Sequence, residues 1–185
     1  MKRYSLSRTL IAAGLLLPGA ALAHTYTYVD GGVVDRTDDS GLGVRMAGSA
    51  GLAPPLALFG EIVDSGNYSQ LSAGAMFHAP IDPAVDFTLG GSMEAVDRGR
   101  ADDVGLGARI GLRWRVAQTR GFELNPELRQ VYVFNDTITS VRGNALFPMS
   151  RNFHLQGALQ AGDEDRIEFG MRYSFLPRTG GQRSY

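Results

Sequence analysis

The sequence predicts an all-β fold: a single up-and-down antiparallel transmembrane β-barrel of about ten strands, with eight as the alternative. Three observations predict it. Ten stretches of 9 to 13 residues alternate apolar and polar side chains, and a period of two is the mark of a strand with two unlike faces. After residue 23 no apolar run approaches the ~18 residues of a membrane helix. The connections also alternate in kind. Acids crowd the turns after odd strands (Asp35, Asp38, Asp39, Asp64, Asp97, Asp102, Asp103, Asp136, Asp163, Glu164, Asp165), and prolines those after even strands (Pro54, Pro55, Pro80, Pro83, Pro148). A meander that crosses a membrane predicts two such chemically distinct ends, whereas a Greek-key sandwich would mix them.

The clearest strand is the sixth, Val104–Val116. Val104, Leu106, Ala108, Ile110, Leu112, Trp114 and Val116 share one face, with Gly105, Gly107, Arg109, Gly111, Arg113 and Arg115 on the other. The other strands take their bounds from the same alternation. The first is Thr25–Asp35, with Tyr26 and Tyr28 on one face. The second, Leu42–Leu52, ends at Ala53-Pro54-Pro55, because proline has no N–H for a ladder. The third is Leu56–Asp64, turned by Ser65-Gly66-Asn67, and the fourth is Tyr68–His78. The fifth is Val85–Asp97. The seventh, Phe122–Phe134, contains Pro126, which is expected to mark a bulge. The eighth is Thr137–Phe147, the ninth Phe153–Ala161 and the tenth Arg166–Phe175.

Residues 1–23 read as a signal peptide. Lys2, Arg3 and Arg8 precede a short apolar run, Leu10–Leu17, and Ala21-Leu22-Ala23 is an A-x-A cleavage site, so a mature chain would begin at His24. A retained anchor is the alternative. Residues 24–176 form the barrel and 177–185 a polar tail. Residues 24–185 carry fifteen Arg, no Lys and all 19 acids, a formal charge of −4, and there is no cysteine. This balance argues against a nucleic-acid footprint, and the missing cysteines exclude disulfides and thiolate metal sites.

Which face meets lipid decides the function class. A soluble barrel for a small apolar ligand would turn the apolar face inward. The absence of Lys, the strand lengths and the mixed signs of the polar face argue for the reverse. On that reading the lumen holds a charge network of Arg45, Glu61, Glu94, Arg109, Arg113, Arg115, Glu123, Glu127, Arg129, Arg142, Glu168 and Arg172, with Asp86 and Arg166 on the same face. A narrow lumen must pair such charges. Arg113 and Arg115 are expected to meet Glu123 and Glu127 across one connection, or alternatively to line an anion path. Aromatics at strand ends, Tyr68, Phe77, Phe122, Phe134, Phe147, Phe153 and Tyr173, read as interfacial girdles.

The last strand, Ile167-Glu-Phe-Gly-Met-Arg-Tyr-Ser-Phe175, resembles the C-terminal assembly signal of outer-membrane proteins, carried by Phe169, Met171, Tyr173 and Phe175. The resemblance implies recognition by the barrel-assembly machinery, with periplasmic chaperones as transient partners. Tyr26-Thr-Tyr-Val-Asp-Gly-Gly32, with the Gly-rich strands that follow, is similar to the Ax-twenty-one-like family of small proteobacterial outer-membrane barrels. Asp30 stands there for an expected Glu and Val33 for an expected Tyr. The family brings no catalytic residues.

Chemistry is sparse. Of the histidines, His24 stands at the expected mature start, and neither His78 nor His154 has a metal-like or triad-like neighbour on its strand. A lipid-modifying triad using Ser72 or Ser92 near His154 remains open, since triads follow geometry. The Asp-rich turns lack a calcium-loop pattern and read as solvated. The expectation is therefore a non-enzymatic, monomeric barrel in outer-membrane lipid, without cofactor, metal or nucleic acid. Its role is structural or surface-interacting, with a filled lumen or a narrow pore.

Overall fold

The computed structural model describes residues 24–37 and 41–175. The expected signal peptide, residues 1–23, and the expected polar tail, residues 177–185, lie outside the described residues. Ten strands form one closed barrel: β1 (Tyr28–Arg36), β2 (Gly41–Ala53), β3 (Leu56–Ser65), β4 (Tyr68–Asp82), β5 (Val85–Asp97), β6 (Asp102–Arg115), β7 (Glu123–Val133), β8 (Asp136–Pro148), β9 (Phe153–Gly162) and β10 (Arg166–Ser174). Each pairs antiparallel with its chain neighbours, and β1 closes on β10 from Tyr28↔Ser174 to Arg36↔Arg166. Closure leaves no sheet edge, so backbone groups find partners without water. The eight-strand alternative is not realised.

The apolar face is outside. Leu42 is 72% exposed, Leu106 67% and Phe169 60%, whereas Glu94 and Asp86 are fully buried. This contradicts the soluble, apolar-inside alternative. Strands of 9 to 15 residues match a tilted crossing of the hydrocarbon layer. Both described termini lie at the end that carries the proline turns, and the acidic turns lie at the other.

Three local expectations need correction. Pro126 makes no bulge. Gly111↔Glu127 and Trp114↔Leu124 keep one register across it, and only the two pairings at Pro126 and Asn125 are missing. The register shifts fall instead at Gly51/Ala53 and Pro80/Asp82, and β4 runs on past His78 to Asp82. Tyr68 and Phe134 do not join the outer girdle. Tyr68 shares the inward parity of Gln70 and Ser72 and is 5% exposed, and Phe134 packs against the same interior cluster. Phe122 with Phe147, and Phe153 with Tyr173 and Phe175, do form outward aromatic groups at the termini end. Finally, β1 begins at Tyr28 rather than Thr25, because His24–Thr27 leave the ladder.

The turns follow their residues. Phe134 and Asn135 both have positive φ (55° and 56°), the two-residue geometry that matches strand twist. The acidic turns do more than meet solvent. Thr139 N donates to Asp163 at 2.7 Å, Gly162 N to Asp165 at 2.9 Å and Phe134 N to Asp103. Carboxylates thus close backbone donors where the ladders end.

Candidate functional site in the barrel lumen

Parity sends one side chain in two into the lumen, and the contents change along the axis. At the acidic-turn end the filling is apolar. Val34, Val63, Val96, Val131, Val133 and Tyr68 form one cluster, each 5% exposed or less. The Tyr68 hydroxyl donates to Gln70 at 2.9 Å, and the Arg36 guanidinium stacks 3.6 Å from its ring. Sequence reasoning missed this cluster. Its valines sit on the polar parity, near the C-terminal ends of odd strands, so each looks like an exception on its own strand.

Below it lies a belt of ion pairs. Arg45 spans Asp30 at 2.6 Å and Glu61 at 2.8 Å. Arg166 reaches Glu61 at 3.2 Å and Glu168 at 2.8 Å, and Arg142 also meets Glu168. Arg172 places Nε and Nη2 on one oxygen of Asp30 at 3.1 and 2.7 Å. A second knot centres on Glu94, which accepts from Gln70 at 3.0 Å, Ser92 at 2.6 Å, Arg129 at 2.8 Å and Ser72. Gly107 leaves the room for it: a Cβ there would come within 2.5 Å of the Glu94 carboxylate and the Ser92 hydroxyl. Such pairs add little net stability over an apolar filling, but removing one partner strands a buried charge.

Beneath the belt is a small open-sided chamber of about 80 Å³, bounded by Arg45, Arg109, Arg113, Arg142, Arg172, Glu61 and Glu127 among others. Arg109 crosses it. Its guanidinium lies 4.1 Å from the centre of the Phe59 ring, and Glu127 is 3.8 Å away. At the termini end, Arg113 holds Glu123 at 2.7 Å, and Glu123 also takes His24 Nδ1 at 2.9 Å. Tyr26 donates to Asp86 at 2.9 Å and stacks on His78.

The structure therefore brings together eleven of the twelve charged residues expected in the lumen, often with other partners. Arg113 meets Glu123, as expected, but Glu127 faces Arg109. Arg115 lies solvent-exposed at the last position of β6. Asp30, Glu164 and the His24–Tyr26 segment went unread. Asp30 was legible as the residue two beyond inward Tyr28. Of the residues expected to carry an assembly signal, Phe169, Met171 and Phe175 face outward at 60%, 58% and 48% exposure, and Tyr173 packs between Phe153 and Phe175.

No protein-family model matches the chain, and no curated protein does. Solved structures do. The KdgM porin superposes with TM-score 0.55 at 11% identity, over 80% of this chain and 99% of that one. The KdgM porin in complex with disordered oligogalacturonate gives 0.52 at 14% identity, over 80% and 99%. The fold, a closed antiparallel up-and-down β-barrel, is similar to that of the KdgM porin. At these identities the likeness is one of fold. LpxR from Salmonella typhimurium superposes with TM-score 0.46 at 10% identity, over 80% of this chain and 100% of that one.

Proposed function

We propose that this chain is a monomeric outer-membrane barrel with a closed lumen, serving as a structural or surface-presenting element rather than an open porin. The observation that carries the reading is the filling of the lumen above its small chamber. An apolar cluster caps it at the acidic end, and Arg–carboxylate pairs bridge it beneath. The apolar exterior and the aromatic groups at the termini end support insertion in outer-membrane lipid, reached through a signal peptide, periplasmic chaperones and the assembly machinery. The likeness of Tyr26–Gly32 to the Ax-twenty-one-like family belongs to the same proposal. A non-catalytic role is supported by the hydroxyls of Ser72 and Ser92, which both go to Glu94 rather than to an imidazole.

One observation favours a second reading. Five arginines against two glutamates line the chamber, and KdgM porin is recorded with an acidic oligosaccharide. A narrow path for anions would use such a lining. Swelling of proteoliposomes in isosmotic solutes separates the two. The closed lumen predicts no uptake of either a neutral monosaccharide or a small organic anion. Anion uptake alone would favour the path, and uptake of both would contradict the closed lumen.

A further inference from the structure

We propose that His24–Tyr26 are a releasable plug seated in a socket at the termini end of the barrel, and that their release opens the arginine-lined chamber on that side. The inference rests on the closed-lumen reading and goes beyond it by naming the device that closes one mouth.

The alternating sequence predicts a strand from Thr25, yet the ladder begins at Tyr28. The segment before it turns inward until His24 and Tyr26 are 3% and 4% exposed. Its partners stand far around the ring from β1. β1 neighbours β2 and β10, whereas His24 meets Glu123 of β7 and Tyr26 meets Asp86 of β5. The Tyr26 ring stacks 3.6 Å from that of His78 on β4, and Arg113 of β6 donates to the Thr25 carbonyl at 2.8 Å. The segment therefore crosses the mouth from wall to wall.

The way it is held suits release. Side chains seat it, with no strand pairing over residues 24–27. At its hinge, Phe175 N donates to the Thr27 carbonyl at 2.9 Å and Gly51 N to the Thr27 hydroxyl at 3.1 Å. Lifting His24–Tyr26 breaks neither contact and no barrel ladder. It would uncover the chamber, because Tyr26 shares one buried cluster with Met76, Phe59 packs against that cluster, and Met76 and Phe59 both line the chamber. The apolar cluster at the far end stays in place, so release opens a pocket rather than a through-pore.

The chain has no cysteine, so Thr88→Cys, on the chamber wall, is a clean probe. The barrel in detergent micelles is treated with a small anionic methanethiosulfonate, and the rate of modification is compared in three backgrounds. These are Thr88→Cys alone, with Tyr26→Phe, and with His24→Ala plus Tyr26→Ala. Tyr26→Phe keeps the ring and its stack and loses only the bond to the Asp86 carboxylate. Heat-modifiable gel migration checks folding, and Tyr26→Phe stands alone if the double variant does not fold. Modification is expected to be slow in the first background, about tenfold faster with Tyr26→Phe, and faster again in the double variant. Equal and slow rates would overturn the plug while leaving the closed lumen standing. Fast modification in the first background would contradict both.

Discussion

At the scale of single residues, the fold rests on where each charge finds its partner. Glu94 is fully buried and answers the Arg129 guanidinium at 2.8 Å. Glu94→Gln should lower the unfolding free energy by about 3 kcal/mol, because it leaves a buried cation without its anion. Adding Arg129→Met should restore part of the loss, and denaturant titration of the folded barrel measures both. If the double variant is no more stable than the single one, the pairing energy has been misassigned. On the other face, Ile110 is 44% exposed midway along β6. Ile110→Arg should cost ~2–4 kcal/mol near the midplane and reduce the heat-modifiable, membrane-inserted fraction. Unchanged levels would remove this face from lipid. Which residues point inward was legible from parity alone, as Arg45, Glu61, Arg129 and Glu168 show. Which inward residues meet was not. Arg129 pairs with Glu94 two strands away, and Arg45 with Glu168 on β10. Those pairs depend on how the ring closes, which no single strand encodes.

At the scale of elements, strand identity was nearly complete in the sequence, and the misreadings have local causes. Pro126 keeps the β6–β7 register because its missing N–H interrupts the ladder over two pairs without inserting a residue. Pro80 stays in β4 because a shift at Pro80/Asp82 absorbs it near the strand end. Alternation could not show that His24–Thr27 desert the ladder, since their side chains find better partners across the mouth. The final strand carries its own prediction. Phe175 stands edge-on to Tyr173 on the outward face, and the alternating apolar end of β10 is the proposed assembly signal. Phe175→Asp should leave the protein periplasmic, while deletion of residues 177–185 should be tolerated. Fractionation followed by immunoblotting reads both, and the opposite pattern would make the tail part of the signal.

At the scale of the whole molecule, the lumen is built as a stack: apolar cluster, ion-pair belt, chamber and N-terminal segment. Arginines and carboxylates stand in near balance along it, so the interior charge cancels within the wall. Truncating Arg109, Arg113 and Arg129 together to alanine removes three cations facing Glu127, Glu123 and Glu94. The variant should lose stability or gain conductance, because the stranded acids draw water and counterions into the lumen. A variant as stable and as silent as the parent would show that the belt does not hold the lumen shut. The most direct test of the central claim is the current through the unaltered, folded protein in a planar lipid bilayer. A lumen closed by its own side chains predicts no steady conductance above the bare membrane. Large, stable, ion-selective steps would contradict it and make the chain a pore.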